Sequence, residues 1–275
     1  MDFGLNEQQE MMQTLAKDFL AAEYTDKVLK AMVKDDLGCT PEIWDKIAGM
    51  NLLGLSLPEK YGGVGDFLDL TVVLEEMGRV CFLGPYFSTV VLSASLIMDA
   101  GSEEQKKQYL PTIAEGKILV TLALSETSDN YTADDIKLKA VAKGDSYILN
   151  GTKIFVPDAR AANYVIVAAR TGKGVTLFIV DINTSGITVN TYQTVAGDKQ
   201  GEIIFKDVKI SAKDILGEVN QGWSYIEKVL RKANIARCAE MVGMAEQALK
   251  LTLDYAKERI AFGHPIGAFQ RIQHR

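Results

Sequence analysis

Two short stretches and one helical strip of this 275-residue chain hold the side chains best placed to do chemistry. In the last third, Ala233, Ala236, Gly243 and Gln247 fall within a narrow strip at about 100° per residue, and Glu240 lies in its middle. A carboxylate is thereby set among small side chains, where another body can come close. Desolvation there would raise its pKa and improve it as a general base. The plainer alternative is a buried glutamate paired with Arg237 or Lys250. The stretches Leu122-Ala-Leu-Ser-Glu126 and Asn150-Gly-Thr-Lys-Ile-Phe155 offer the Ser125 hydroxyl and the Phe155 ring. Taken singly, these read as an ordinary strand hydroxyl and a core aromatic. Metal and disulfide chemistry find little support: Cys39, Cys81 and Cys238 are odd in number and widely spaced, and there are only two histidines.

The rest of the composition narrows the class further. With 47% hydrophobic residues the chain can bury a large core. A net charge of −6 and no block of like charges leave no footprint for nucleic acid or an anionic membrane. The N-terminus lacks the basic-then-apolar order of a signal peptide, and no run of 18 or more apolar residues offers a membrane span. A soluble protein of the reducing cytoplasm is the expectation.

These side chains need elements to position them. Residues 1–118 read as an all-α bundle. Asn6 caps a first helix, Thr40-Pro41-Glu42 opens a second that stops at Gly49, a third runs over 69–81 and a fourth over 90–100, and Ser102-x-x-Gln105 is a capping box for a fifth. Over 119–218 the apolar period changes to two. Short runs rich in Val, Ile, Thr and Tyr at 117–126, 136–142, 147–149, 152–156, 164–170, 175–181, 187–192 and 201–210 predict an antiparallel β-barrel or sandwich. Asn150-Gly151 signals a two-residue hairpin between two of these runs, and Gly144-Asp145 and 171–174 mark further turns. From 219 to 275 the helical period returns and holds from Trp223 to about Phe262. That predicts a helix of roughly 60 Å opening a further helical domain. The fold class is α+β with several domains.

The order of elements resembles the acyl-CoA dehydrogenase flavoprotein family. Three motifs carry the likeness: Leu122-Ala-Leu-Ser-Glu126, Asn150-Gly-Thr-Lys-Ile-Phe155 and Arg259-x-x-Phe-Gly-x-Pro-Ile-x-x-Phe-Gln270. The resemblance implies an FAD enzyme that oxidises the Cα–Cβ bond of an acyl-CoA and hands electrons to an electron-transfer flavoprotein, as a dimer or tetramer. It implies that Leu124, Ser125, Phe155, Val156 and Pro157 contact the flavin. Arg259, Phe262, Phe269 and Gln270 would reach the FAD of a partner subunit, where a guanidinium suits a pyrophosphate. Substrate contacts fall to Ser128, Asn234 and Arg237. The family chemistry needs a carboxylate base for the α-proton, while the β-hydrogen leaves as hydride. Glu240 is the candidate on the long helix, although helix bases of the family align nearer Ala233. Otherwise the base lies beyond Arg275, or this chain supplies none.

Some positions depart from the family pattern. The usual proline and glycine-rich segment is replaced by Glu126-Thr-Ser-Asp-Asn-Tyr-Thr-Ala-Asp-Asp135, with Ser128 standing in for a missing serine. Pro157 offers neither hydroxyl nor N–H at the flavin edge, and an arginine of the family aligns with Asn234. The altered glycine-rich segment and Asn234 are consistent with an alternative function, a non-catalytic partner subunit of a hetero-oligomer, whereas Pro157 marks a branch of the family and not a loss; a third reading is a flavin enzyme with another substrate or acceptor. The helical pattern still running at Arg275 leads us to expect a chain that stops inside its last domain. If so, its flavin site is incomplete and its long helix partly bare.

Overall fold

The computed structural model describes residues 4–128 and 132–274. Asp129, Asn130 and Tyr131 of the altered segment, and the terminal Arg275, lie outside the described residues. The helical part comprises α1 (Glu7–Glu23), α2 (Asp26–Lys34), α3 (Pro41–Gly49), α4 (Phe67–Arg79), α5 (Ser95–Ala100) and α6 (Glu103–Ala114). Capping boxes at Asn6–Gln9 and Ser102–Gln105 open α1 and α6, and Thr40 with Pro41 opens α3, so the helix starts were written in local chemistry. The surface helix α2 was not anticipated; it buries only Met32. The expected helix at 90–100 is instead a π-helical stretch, Phe87–Ala94, that continues as α5.

The β-part is a single sheet of β1 (Val120–Ala123), β2 (Lys139–Lys143), β3 (Ser146–Pro157), β4 (Tyr164–Thr171), β5 (Gly174–Asp181), β6 (Ile187–Gln193), β7 (Lys199–Ser211) and β8 (Ile215–Leu216). Its order is β6-β7-β3-β2-β4-β5-β8, with β1 pairing beside β4. The two end strands do not meet, so the sheet does not close into a barrel; it is sandwich-like. Alternate residues of β4 and β5 serve two cores. Ile166, Ala168, Leu177 and Ile179 pack toward α5, α6 and the long helix. Val165, Val167, Phe178 and Val180 meet Ile203, Phe205 and Leu149 of β7 and β3. Burial on both faces explains why β4 reads as a continuous apolar run. The expected antiparallel pattern is broken where β1 and β4 run parallel, and again where Lys139 meets Arg170.

One expected hairpin is absent. Asn150-Gly151 lies within the continuous strand β3, where a register shift between Leu149 and Gly151 marks a bulge. Gly151 has φ 147°, and a Cβ there would come within 2.9 Å of the Leu138 side chain, so glycine is required without any chain reversal. The reversals occur at Gly144-Asp145, between β2 and β3, and at Gly172-Lys173, between β4 and β5.

The long helix α7 (Gly222–Glu258) has 37 residues and is about 55 Å long. It stops short of Phe262, which occupies, with Gly263, the turn of a small hairpin, β9 (Ile260–Ala261) and β10 (His264–Pro265). The small-residue strip of α7 does admit a close neighbour, and that neighbour is α4. A Cβ at Gly243 would stand 1.9 Å from the Glu75 carbonyl oxygen, and one at Gly78 would stand 2.1 Å from that of Glu240. The two helix backbones are thus in contact, which only glycine allows. Beyond this contact α7 exposes Met241, Leu249, Leu251, Leu253 and Tyr255. Among the described residues no helix is long and apolar enough to cross a membrane.

Candidate functional site

The first two sequence motifs form one structure. The Ile154 N–H donates to the Ser125 carbonyl (2.9 Å), and the Lys153 ammonium donates to the Leu124 carbonyl (3.0 Å) and to Glu126 Oε1 (2.7 Å). Glu126 also accepts from the Lys137 and Leu138 N–H groups. Lys153 is fully buried, and burial pulls its pKa down to about 8 although Glu126 opposes the shift. A buried charge tolerated on such terms is a clamp. It fixes the segment Leu124–Glu126 against β3 two residues before Phe155. The sequence contains both partners inside the quoted motifs, but nothing in their spacing shows that they pair.

Phe155 sits at φ 51° with its ring 60% exposed and 5.8 Å from that of Tyr192. A large aromatic held outward at a left-handed backbone position, on a clamped strand, is a surface suited to covering a flat ring. Val156 turns the other way, into the core, and has only its backbone to offer a ligand. Pro157 has no N–H to donate, and its carbonyl accepts from the Thr121 hydroxyl at 2.5 Å.

Phe155 itself lines neither of two nearby cavities, one touching the Leu124–Glu126 segment and the other Pro157. The first, about 300 Å³ and largely apolar, is lined by Leu124, Ser125, Ser128, Asp135, Trp223 and Leu230. Ser128 Oγ donates to Asp135 at 2.5 Å on its rim. The second, about 190 Å³, is lined by Phe87, Ser88, Pro157, Asp158, Arg237 and Glu240 among others. Glu240 therefore faces a cavity that also touches Pro157. Burial raises its pKa, against the opposing pull of Arg237, whose guanidinium forms an ion pair with it and stacks 3.8 Å over the Phe87 ring. The pairing alternative for Glu240 is thus realised, with Arg237 and not Lys250. Asp158 and Ser88 were not among the sequence candidates. Asp158 is buried, and desolvation lifts its carboxyl to about 6. A larger depression of about 910 Å³ beside α6 includes none of the candidate residues.

Other candidates are not brought to this place. Asn234 is exposed and lines neither cavity. Arg259, Phe262, Phe269 and Gln270 lie past the far end of α7, about 55 Å along the helix from Trp223. There Phe262 is almost fully exposed, and its ring meets that of Phe269 edge to face. Within one chain they cannot share a ligand with Ser125. No group of three His, Cys, Asp or Glu side chains able to hold a metal ion occurs among the described residues.

A helical part, a sandwich-like sheet and a long helix define an α+β protein with one candidate cavity between the sheet and the long helix and a second where all three parts meet. Comparison with known proteins gives that class its family. Residues 6–117, 121–208 and 220–275 match the family models described as acyl-CoA dehydrogenase N-terminal, middle and C-terminal domain, respectively. A probable acyl-CoA dehydrogenase, YngJ, of Bacillus subtilis is 34% identical over 99% of this chain and 74% of its own length. The caffeyl-CoA reductase-Etf complex subunit CarC of Acetobacterium woodii is 33% identical over 97% of this chain and 73% of its own. The structure of butyryl-CoA dehydrogenase from Megasphaera elsdenii superposes with a TM-score of 0.89 at 31% identity, over 100% of this chain and 75% of that one. The chain belongs to the acyl-CoA dehydrogenase family.

Proposed function

We propose that this protein dehydrogenates an acyl-CoA thioester at its α and β carbons with FAD as cofactor, and passes the electrons to an electron-transfer flavoprotein. The observation that carries the reading is the junction of the two motifs: Lys153 and Ile154 hold Leu124 and Ser125 beside the outward ring of Phe155. Bound FAD supplies the two-electron acceptor. The chain's own residues bind and orient: the Phe155 ring covers one face of a flat ligand, and the Leu124–Ser125 segment offers backbone and hydroxyl groups at its edge. The first cavity, between Ser125, Ser128 and Trp223, receives the thioester arm. Glu240 takes the α-proton. Its burial favours the protonated product of that step, and Arg237 keeps enough of it ionised to begin. Arg259, Phe262, Phe269 and Gln270 serve the site of a second copy, which makes a dimer or tetramer the working form. The expected location is the cytoplasm.

Purified protein should be yellow and should bleach anaerobically when an acyl-CoA is added. The Glu240→Gln variant should keep FAD and lose bleaching; unchanged bleaching would remove Glu240 from the reaction. The exposed Asn234, which lines neither cavity, favours a second reading, a non-catalytic partner in a hetero-oligomer. A stable homo-oligomer that stays colourless in excess FAD would decide for it.

A further inference from the structure

The 190 Å³ cavity is small beside the 300–1,000 Å³ usual for small-molecule sites, and its chemistry is mixed. Phe82, Phe87 and Leu92 give it apolar walls, but Ser88, Asp158, Asp198, Lys199, Arg237 and Glu240 place polar atoms among them. Ser88 and Asp158 are 1% and 8% exposed and mark its buried end, whereas the Arg237 side chain is 51% exposed and marks its mouth.

The hydrogen-bond inventory at both ends is unfilled. Ser88 Oγ lies 2.5 Å from Asp158 Oδ2 and 3.1 Å from the Pro85 carbonyl, but a hydroxyl has one proton to give. With Ser88 donating to Pro85, Asp158 must itself be the donor. With Ser88 donating to Asp158, the carboxylate keeps acceptor sites to spare. A guanidinium has five N–H groups, of which the bond to Glu240 uses one. A saturated hydrocarbon tail would strip water from these groups and return nothing. A tail ending in a carboxylate would meet three acids, Asp158, Asp198 and Glu240, against two cations, Arg237 and Lys199, and the Lys199 ammonium already donates to the Val33 carbonyl. A neutral oxygen meets neither objection: a hydroxyl can donate to Asp158 and accept from Arg237, and a ketone can accept from Arg237 or from a protonated Asp158.

We propose that Asp158, Ser88 and Arg237 select a short acyl-CoA whose tail carries a neutral hydroxyl or ketone oxygen at the γ carbon or beyond, in preference to a saturated tail or a carboxylate of the same length. This substrate class rests on the acyl-CoA reading above. The pKa of Asp158, near 6, lets the same carboxyl serve as donor or acceptor around neutral pH.

The test compares four CoA thioesters of equal carbon count on the FAD-loaded protein: pentanoyl-CoA, its γ-hydroxy and γ-keto derivatives, and glutaryl-CoA. Anaerobic bleaching gives kcat/KM for each. Calorimetry with the matching S-alkyl CoA thioethers, which cannot be turned over, gives Kd. One hydrogen bond to a charged group predicts a preference of about tenfold or more for at least one oxygenated tail in both measurements, with glutaryl-CoA poorest. The preference should collapse in Asp158→Leu and partly return in Asp158→Asn. Bleaching by pentanoyl-CoA as fast as by both oxygenated esters, or equal thioether affinities, would overturn the substrate class while leaving the dehydrogenase standing. No bleaching by any of the four on yellow protein would overturn both.

Discussion

Replacing Lys153 by methionine tests whether the ledge is clamped as described. Lys153 Nζ holds Leu124 O and Glu126 Oε1 from a fully buried position, and removing one partner of a buried pair costs about 3–5 kcal/mol. Glu126 would keep the N–H groups of Lys137 and Leu138, so the lower end applies at pH 7: about 3 kcal/mol, or a melting shift of roughly 6–10 °C. The pH dependence is more particular. Burial lowers the Lys153 pKa from 10.5 to about 8, so between those values the unfolded chain holds a proton that the native protein lacks. Native stability then rises with pH, by up to about 1.4 kcal/mol per unit. The variant has no such group, and the stability gap should widen by about 1.3 kcal/mol from pH 7 to pH 9. Urea unfolding of both proteins at the two pH values, followed by circular dichroism, measures it. FAD affinity should fall in parallel, because Leu124 and Ser125 lose their hold. A loss below about 1 kcal/mol at pH 7, or a gap that narrows toward pH 9, would refute the clamp.

Two further outcomes follow from the packing. Gly243→Val must drive α7 from α4, since its Cβ alone would sit 1.9 Å from the Glu75 oxygen; thermal unfolding should show a loss of about 3 kcal/mol, the upper end of overpacking costs because the clash is with backbone, and an unchanged melting point would contradict the backbone contact. Phe155→Ala removes an exposed ring, so stability should change by less than about 0.5 kcal/mol while FAD binding, read by flavin fluorescence quenching, weakens about tenfold. Equal FAD affinity would separate Phe155 from the cofactor.

Much of the architecture was legible because it is encoded locally. Asn6, Thr40-Pro41 and Ser102 each satisfy N–H groups within three residues, and the helix starts follow from them. Asn150-Gly151 misled for the complementary reason. The dipeptide is equally suited to a hairpin and to a bulge, and what decided was the side chain of Leu138, which presses against Gly151 from the neighbouring chain segment. Closure of the sheet was undecidable as well, because period-two patterning sets which face is buried and not which strands end up at the edges.

The sequence by itself determined the residue types of the candidate site, the succession of helix, strand and helix, and the presence of one long helix that carries Glu240, whereas its end at Glu258 came from the structure. Only the tertiary structure decided what those residues face. Lys153 finds Glu126 from 27 residues away and Ser88 finds Asp158 from 70, and α4 occupies the glycine strip that on the helix alone looked open. Periodicity fixes the direction of a side chain relative to its own element, whereas pairing, burial and the pKa values that follow depend on the elements packed against it.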